Sequence, residues 1–309
     1  MEKKDIILLR EIRYRIIEIC NCIYMQTWSK VYEYWKALDT ELMIIPFDDI
    51  MWYEILNQCR SCVMKGNFLR FRDLLVYEMD LYIVNQLCSL SKEIRISLAN
   101  DAERENEEAL RKYHKEMLEL ISSEDRKPRI ECSYAGAENV SISIAESGGK
   151  YRLFSSVNPW LESSNLIYEM VKEPCSEIYV FGFGGGYAIR ELEKRFNGAK
   201  IKVYISNLDI FQAVVKNISV STILRYEKLE FIVDPIGMVF FIDISKKIRE
   251  NDSFKFYIDY QELRACTGSA YIASYMLKDS QKQIAADSIL KGGIGEKIER
   301  YINGLNYDG

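Results

Sequence analysis

The residues whose types and spacing best suit chemistry are the glycines of Ile178-Tyr-Val-Phe181-Gly182-Phe-Gly184-Gly185-Gly186-Tyr187. An apolar run leads into them and an amphipathic run leads out, which is the order strand, glycine loop, helix. Such a loop brings backbone N–H groups to the carboxyl edge of a sheet, where a ligand's polar or anionic group can take them. The spacing is Gly-x-Gly-x-Gly, with Tyr187 where a dinucleotide fingerprint places its third glycine. Acids follow two later strand-like runs, Asp234 after Leu229–Val233 and Asp259 after Phe254–Ile258. They share the loop's edge if the strands are parallel. After Lys200–Ile205 the chain reads Ser206-Asn207-Leu-Asp209, so Asn207 is the group able to hydrogen-bond a ribose, and Asp209 belongs to the start of the next helix. The candidate ligand-binding set is Gly182, Phe183, Gly184, Gly185, Gly186, Tyr187, Asn207, Asp209, Asp234 and Asp259. The same residues also suit a tight strand-to-helix turn with aspartates solvating loop ends, and both readings stand.

Other chemistry is thinly represented. The one histidine, His114, removes any histidine-pair metal site or two-histidine proton relay from this chain alone, and its charged neighbourhood reads as a surface helix. Cys20-Asn-Cys22 and Cys59-Arg-Ser-Cys62 fall inside helical patterns, where packing explains them better than zinc or redox chemistry. Asp48-Asp49 before Ile50-Met-Trp reads as a helix cap rather than an acid/base pair. With 41 Lys and Arg against 46 Asp and Glu, a net charge of -5, no general positive field draws the chain to nucleic acid. No apolar stretch suits membrane insertion, and the first residues lack the uninterrupted core of a signal peptide, so the expected location is cytoplasmic.

The elements that must hold the loop divide in two. Residues 1–121 read as a helical domain, with Gly66 its one glycine and breaks expected near Pro46, at Lys65-Gly66-Asn67 and near Asn100-Asp101. Leu74, Leu75, Tyr77, Met79, Leu81, Tyr82, Val84, Leu87 and Leu90 form one broad apolar stripe, and the charged run 102–115 reads as a solvated helix. The aromatic set Trp28, Tyr32, Tyr34 and Trp35 suits core or an interface with a protein partner or a second copy. Beyond the linker at 122–128, residues 122–309 alternate differently. Short runs at 129–134, 139–145 and 151–154 suit an antiparallel meander. Strands Glu177–Phe181, Lys200–Ile205, Leu229–Val233 and Phe254–Ile258 then alternate with helices at 188–196, 210–218 and 241–249, followed by helix from 262 broken at Gly292-Gly293-Ile-Gly295. The fold class is α/β: a Rossmann-like mostly parallel sheet with a small antiparallel meander, behind an all-helical domain.

Two resemblances follow from these residues. Gly182 to Gly186 resembles the first motif of S-adenosylmethionine-dependent methyltransferases more than a nicotinamide site. Together, Asn158-Pro159-Trp-Leu-Glu162, Val180-Phe-Gly-Phe-Gly-Gly-Gly-Tyr187 and Asn207-Leu-Asp-Ile-Phe211 resemble the amino-terminal region of the bacterial motility-associated factor glycosyltransferases, which are implicated in decorating flagellin with nonulosonic acids. Gly66 to Glu78 extends the likeness into the helical part. Ile205 and Ser206 stand where that family carries an acid and a proline, Phe154 and Ser156 replace its His and Lys, and its Gly-Pro-Ser-Leu loop has no counterpart here. The resemblance therefore implies a glycosyltransferase-related binding or scaffolding module without the transferase activity. Its candidate ligands are a nucleotide sugar or, in the alternative reading as a methyltransferase, S-adenosylmethionine.

Overall fold

Apolar side chains at three- and four-residue steps wind the first third of the chain into helices, and period-two alternation builds the sheet behind them. The computed structural model describes residues 3–45, 47, 49–122, 130–133, 141–146, 149–154, 158–170, 175–250 and 254–265. Pro46, Asp48, the linker from 123 to 128, Arg129, Gly136, Ser156 and the helix and glycine break expected beyond 265 lie outside the described residues.

The helical region runs α1 (Lys3–Tyr24), α2 (Trp28–Leu42), α3 (Ile50–Met64), α4 (Phe68–Asp73), a π-helical turn (Leu74–Met79), α5 (Asp80–Cys88), α6 (Lys92–Tyr113) and α7 (Lys115–Ile121). Asp49 caps α3 as expected, accepting the Met51 N–H at 2.9 Å. Gly66 ends that helix at φ +67°, a conformation that costs glycine little. The break expected at Asn100-Asp101 is absent: α6 runs through it. Asn and Asp cost only a few tenths of a kcal/mol inside a helix, and here Leu98, Ala99 and Ala102 are buried around them while Asp101 pairs with Lys3 and Arg104. A break occurs instead at 25–27, between α1 and α2, where Gln26 takes φ +55°.

The apolar stripe at 74–90 is also less uniform than its spacing suggests. Tyr77 is 66% and Leu81 43% exposed, while Asp80 between them is buried. The π-helical turn widens the backbone there and rotates α5 relative to the continuation of an ideal helix. Asp80 is turned inward onto Arg13, which donates from Nε at 2.8 Å with both side chains buried.

The α/β part opens with β1 (Ile130–Ser133), β2 (Ser141–Glu146) and β3 (Gly149–Arg152), an antiparallel sheet in that order. Then come α8 (Pro159–Met170), β4 (Glu177–Phe181), α9 (Tyr187–Arg195), β5 (Lys200–Ile205), α10 (Leu208–Asn217), α11 (Ser221–Leu224), β6 (Leu229–Val233), α12 (Met238–Glu250), β7 (Phe254–Ile258) and α13 (Tyr260–Ala265). The strands pair in parallel in the order β6-β5-β4-β7. Alternation sorts each strand's residues by face. Ile178, Val180, Ile201, Val203 and Ile205 join a core with α9 and α10, while Tyr179, Phe181, Tyr204 and Ile258 pack with Phe240, Phe241 and Ile244 of α12. Helices therefore cover both faces of the sheet.

The two parts are joined through packing and buried polar contacts. Leu98 of α6 belongs to the helical core, whereas Ala109 and Leu110 farther along it join the core of the sheet. Buried Asn106 donates to Val215 O at 2.8 Å and Ile218 O at 2.7 Å and accepts the Val220 N–H at 3.0 Å. Thus the charged run 102–115 is solvated on only one side. His114 is half-buried rather than exposed: its ring lies 4.8 Å from that of Phe231, its Nε2 is 3.1 Å from Leu224 O, and burial lowers its pKa.

Candidate functional site

The strand order fixes where a ligand crevice must lie. After β4 the chain proceeds to β5 and β6 on one side, then crosses to β7 on the other, so the loops after β4 and β7 diverge around a switch point at the carboxyl edge. The glycine loop follows β4, and Asp259 follows β7.

The loop is shaped as its glycines allow. Gly182, Gly184 and Gly186 have φ of +87°, +54° and +79°, which side chains with a Cβ rarely adopt. The Gly182 N–H continues the pairing of β4 by donating to Tyr204 O at 2.9 Å, and the Gly186 N–H closes a turn onto Phe183 O at 2.9 Å. Phe183 points into the core, with its ring 4.9 Å from that of Phe211. Tyr187 packs edge-on against Trp160 and Phe154. Both rings are buried, as are the four glycines.

What occupies the amide cradle is a side chain of the same molecule. Glu262, on α13 and fully buried, accepts the Gly184 N–H at 2.9 Å through Oε2 and the Ser206 hydroxyl at 2.6 Å through Oε1. Its carboxylate takes the place that an anion takes at such a loop. Asp259 lies beside it: a Cβ placed on Gly184 would come within 2.3 Å of Asp259 Oδ2, and one on Gly182 within 2.9 Å of Glu262 Oε2. Asp259 Oδ1 also accepts the Gln261 and Glu262 N–H groups, capping α13.

Burial dominates the electrostatics. It pushes Glu262 up to about 7, helped by the charge of Asp259 and opposed by the Ser206 hydroxyl and the Gly184 and Phe183 amides. Asp259 is pushed up to about 6, again by burial, with its two N–H bonds opposing and the charge of Glu162 on α8 adding to the rise. The switch point is acidic, and three carboxylates influence it.

The other expected site residues serve their own elements. Asn207 caps α10, accepting the Asp209 and Ile210 N–H groups at 2.9 and 3.2 Å, and Asp209 sits in that helix's first turn. Asp234 is buried and accepts the Phe240 N–H at 2.9 Å at the start of α12. It follows β6, two strands from the glycine loop, or about 10 Å across the sheet. The fold thus brings Asp259 to the loop, while Asn207 and Asp234 bind helix starts. Ser206 and Glu262 are the members that sequence reasoning missed. A signal for Glu262 existed, since Asp259-Tyr-Gln-Glu262 has the spacing of a capping box.

The cysteines singled out by spacing lie in the helical core. Cys20, Cys22 and Cys59 are buried, and burial pushes the Cys20 and Cys59 thiols up to about 12.

Comparison of the chain with protein-family models, with curated proteins and with solved structures found no match.

Proposed function

We propose that the chain is a non-catalytic, degenerate Rossmann-like module of the kind implied by its resemblance to the motility-associated factor glycosyltransferases. It serves surface-glycan or flagellar modification by binding or scaffolding rather than by transfer. The observation that carries this reading is the engagement of the glycine-loop amide of Gly184 by Glu262. A nucleotide or nucleotide-sugar phosphate at this loop must displace a buried carboxylate and then lie against Asp259, which Coulomb repulsion disfavours. The protein partner or second copy that a scaffold requires is best served by the exposed aromatic end of the helical region. There Trp28 stacks on Phe68 at 4.8 Å and Tyr32 meets the same ring edge-on at 5.4 Å.

The test is a melting-temperature titration at neutral pH with nucleoside diphosphates and nucleotide sugars, since a ligand that binds only the folded state must raise the transition. No shift at millimolar concentration is expected; a rise that saturates overturns the reading.

One observation favours the methyltransferase alternative. Carboxylates at the switch point suit a ligand carrying positive charge, and S-adenosylmethionine has a sulfonium and an ammonium where a nucleotide has phosphates. Calorimetric binding of S-adenosylmethionine, lost in Asp259→Asn, would select this reading; no heat with it or with S-adenosylhomocysteine removes it.

A further inference from the structure

A second concavity lies away from the glycine loop, where α1, α6, α8 and α9 meet the end of α10. Its volume is about 340 Å³, within the range of small-molecule sites. One wall is aromatic: Tyr14 of α1 meets Trp160 of α8 edge-on at 5.4 Å, and Trp160 meets Tyr187 of α9 at 4.6 Å. The floor is apolar, with Ile218 and Leu98.

Arg190 lines this cleft one turn after Tyr187 on α9. Its guanidinium carbon stands 4.6 Å from the Tyr14 ring centroid and 4.7 Å from that of Trp160. Two rings thus fix the orientation of the fork. Among the described residues that fork donates no hydrogen bond and forms no ion pair; it meets the two rings and interacts with the Glu193 carboxylate and the Tyr14 phenol only through longer-range Coulomb interactions. The other cations of the cleft differ. These are Lys3, Arg10 and Arg104, of which Lys3 and Arg104 both pair with Asp101; the acids Glu11 and Glu105 also line the cleft, Glu105 lying 3.5 Å from the Ser221 hydroxyl. A guanidinium held by aromatic faces, with its N–H edge unused, is preorganised for a planar two-oxygen acceptor.

We propose that this cleft binds a small planar anion smaller than a nucleotide, a single aromatic ring with a carboxylate or phosphate attached directly to it and no intervening sugar, with the anionic group on the Arg190 fork and the ring against Trp160 and Tyr187. The shape of the site supports the ring as well as the charge, because the aromatic wall and the Leu98 and Ile218 floor exclude water from the body while the charged groups lie around it. The cleft shares Tyr187, the first residue after the glycine loop, with the candidate set described above, and its other lining residues lie outside that set.

The experiment uses the full chain, with phenyl phosphate and benzoate as probes and phenol and benzamide as their uncharged counterparts. Binding is followed by calorimetry and by tryptophan fluorescence. Both anions are expected to bind at least about tenfold more tightly than their counterparts, and the tighter of the two identifies phosphate or carboxylate as the preferred group. Arg190→Lys keeps the charge but loses the fork, and is expected to weaken anion binding by about tenfold or more. Arg190→Gln gives the same outcome if the lysine variant folds poorly. Absence of anion binding at millimolar concentration, equal binding of the uncharged compounds, or undiminished binding in a folded Arg190 variant overturns the proposal.

Discussion

The carboxylate of Glu262 accepts the amide hydrogen of Gly184 at 2.9 Å, so a residue of the last described helix occupies the loop that follows the first strand of the parallel sheet. This arrangement depends on protonation. Glu262 and Asp259 both have folded-state values above the ordinary carboxylate range, about 7 and about 6. The folded chain therefore holds these protons more tightly than the unfolded chain. Stability from the pair is fully present below the ordinary carboxylate values and is lost as pH rises through about 6 to 7. Thermal melting from about pH 5 to about pH 8 should show the transition falling by a few degrees, the effect of roughly 2–3 kcal/mol. Glu262→Gln, whose amide can still accept from Gly184, should flatten most of that slope. An equally steep slope in the variant would refute the assignment.

Gly184→Ala should destabilise the protein by roughly 2–4 kcal/mol, because a Cβ adds the cost of left-handed backbone to a collision with Asp259. The collision is with Asp259 Oδ2, 2.3 Å from the ideal Cβ position. In the double variant Gly184→Ala, Asp259→Ala, the collision is relieved but the backbone cost remains. Urea midpoints of the two single variants and the double variant should therefore show favourable coupling.

Asp80→Ala should cost roughly 3–5 kcal/mol, since it removes the carboxylate paired with the buried guanidinium of Arg13. Asn158→Ala should cost less, about 1–2 kcal/mol, by removing a cap and one bond to Asp80. Asn158 donates to Asp80 Oδ2 at 2.8 Å and accepts the Leu161 N–H at 2.9 Å. Chemical denaturation of both variants checks the ranking, and equal losses would contradict it.

Thiol alkylation of the native protein should label exposed Cys88 early and spare Cys20 and Cys59 until unfolding. Burial both blocks access to the latter two and raises their pKa to about 12, leaving little thiolate to react. Mass spectrometry of peptides after brief labelling measures the order directly.

The four parallel strands were legible because each is a short, β-branched or aromatic run bounded by turn residues; Glu177–Phe181, Lys200–Ile205, Leu229–Val233 and Phe254–Ile258 have the bounds expected of them. The helical breaks were less legible. Asn100-Asp101 has the chemistry of a cap but is overruled by ion pairs from Lys3 and Arg104, and the π-helical turn before Asp80 has no local signature that periodicity can read. At the glycine loop, sequence spacing brought Asp259 to attention but not Glu262. Whether a carboxylate meets an amide 78 residues away depends on β7 pairing with β4, a relation of topology rather than spacing.

The strand order also sets a sequence of events during synthesis. β4 lies inside the sheet, yet its neighbour β7 is the last of the four strands to leave the ribosome. Until then β4 offers an open edge rich in apolar residues, the kind of surface that recruits a wrong strand. A nascent chain halted before β7 therefore combines three paired strands with an unguarded edge and an unfilled amide cradle. Release of β7 and α13 closes both at once.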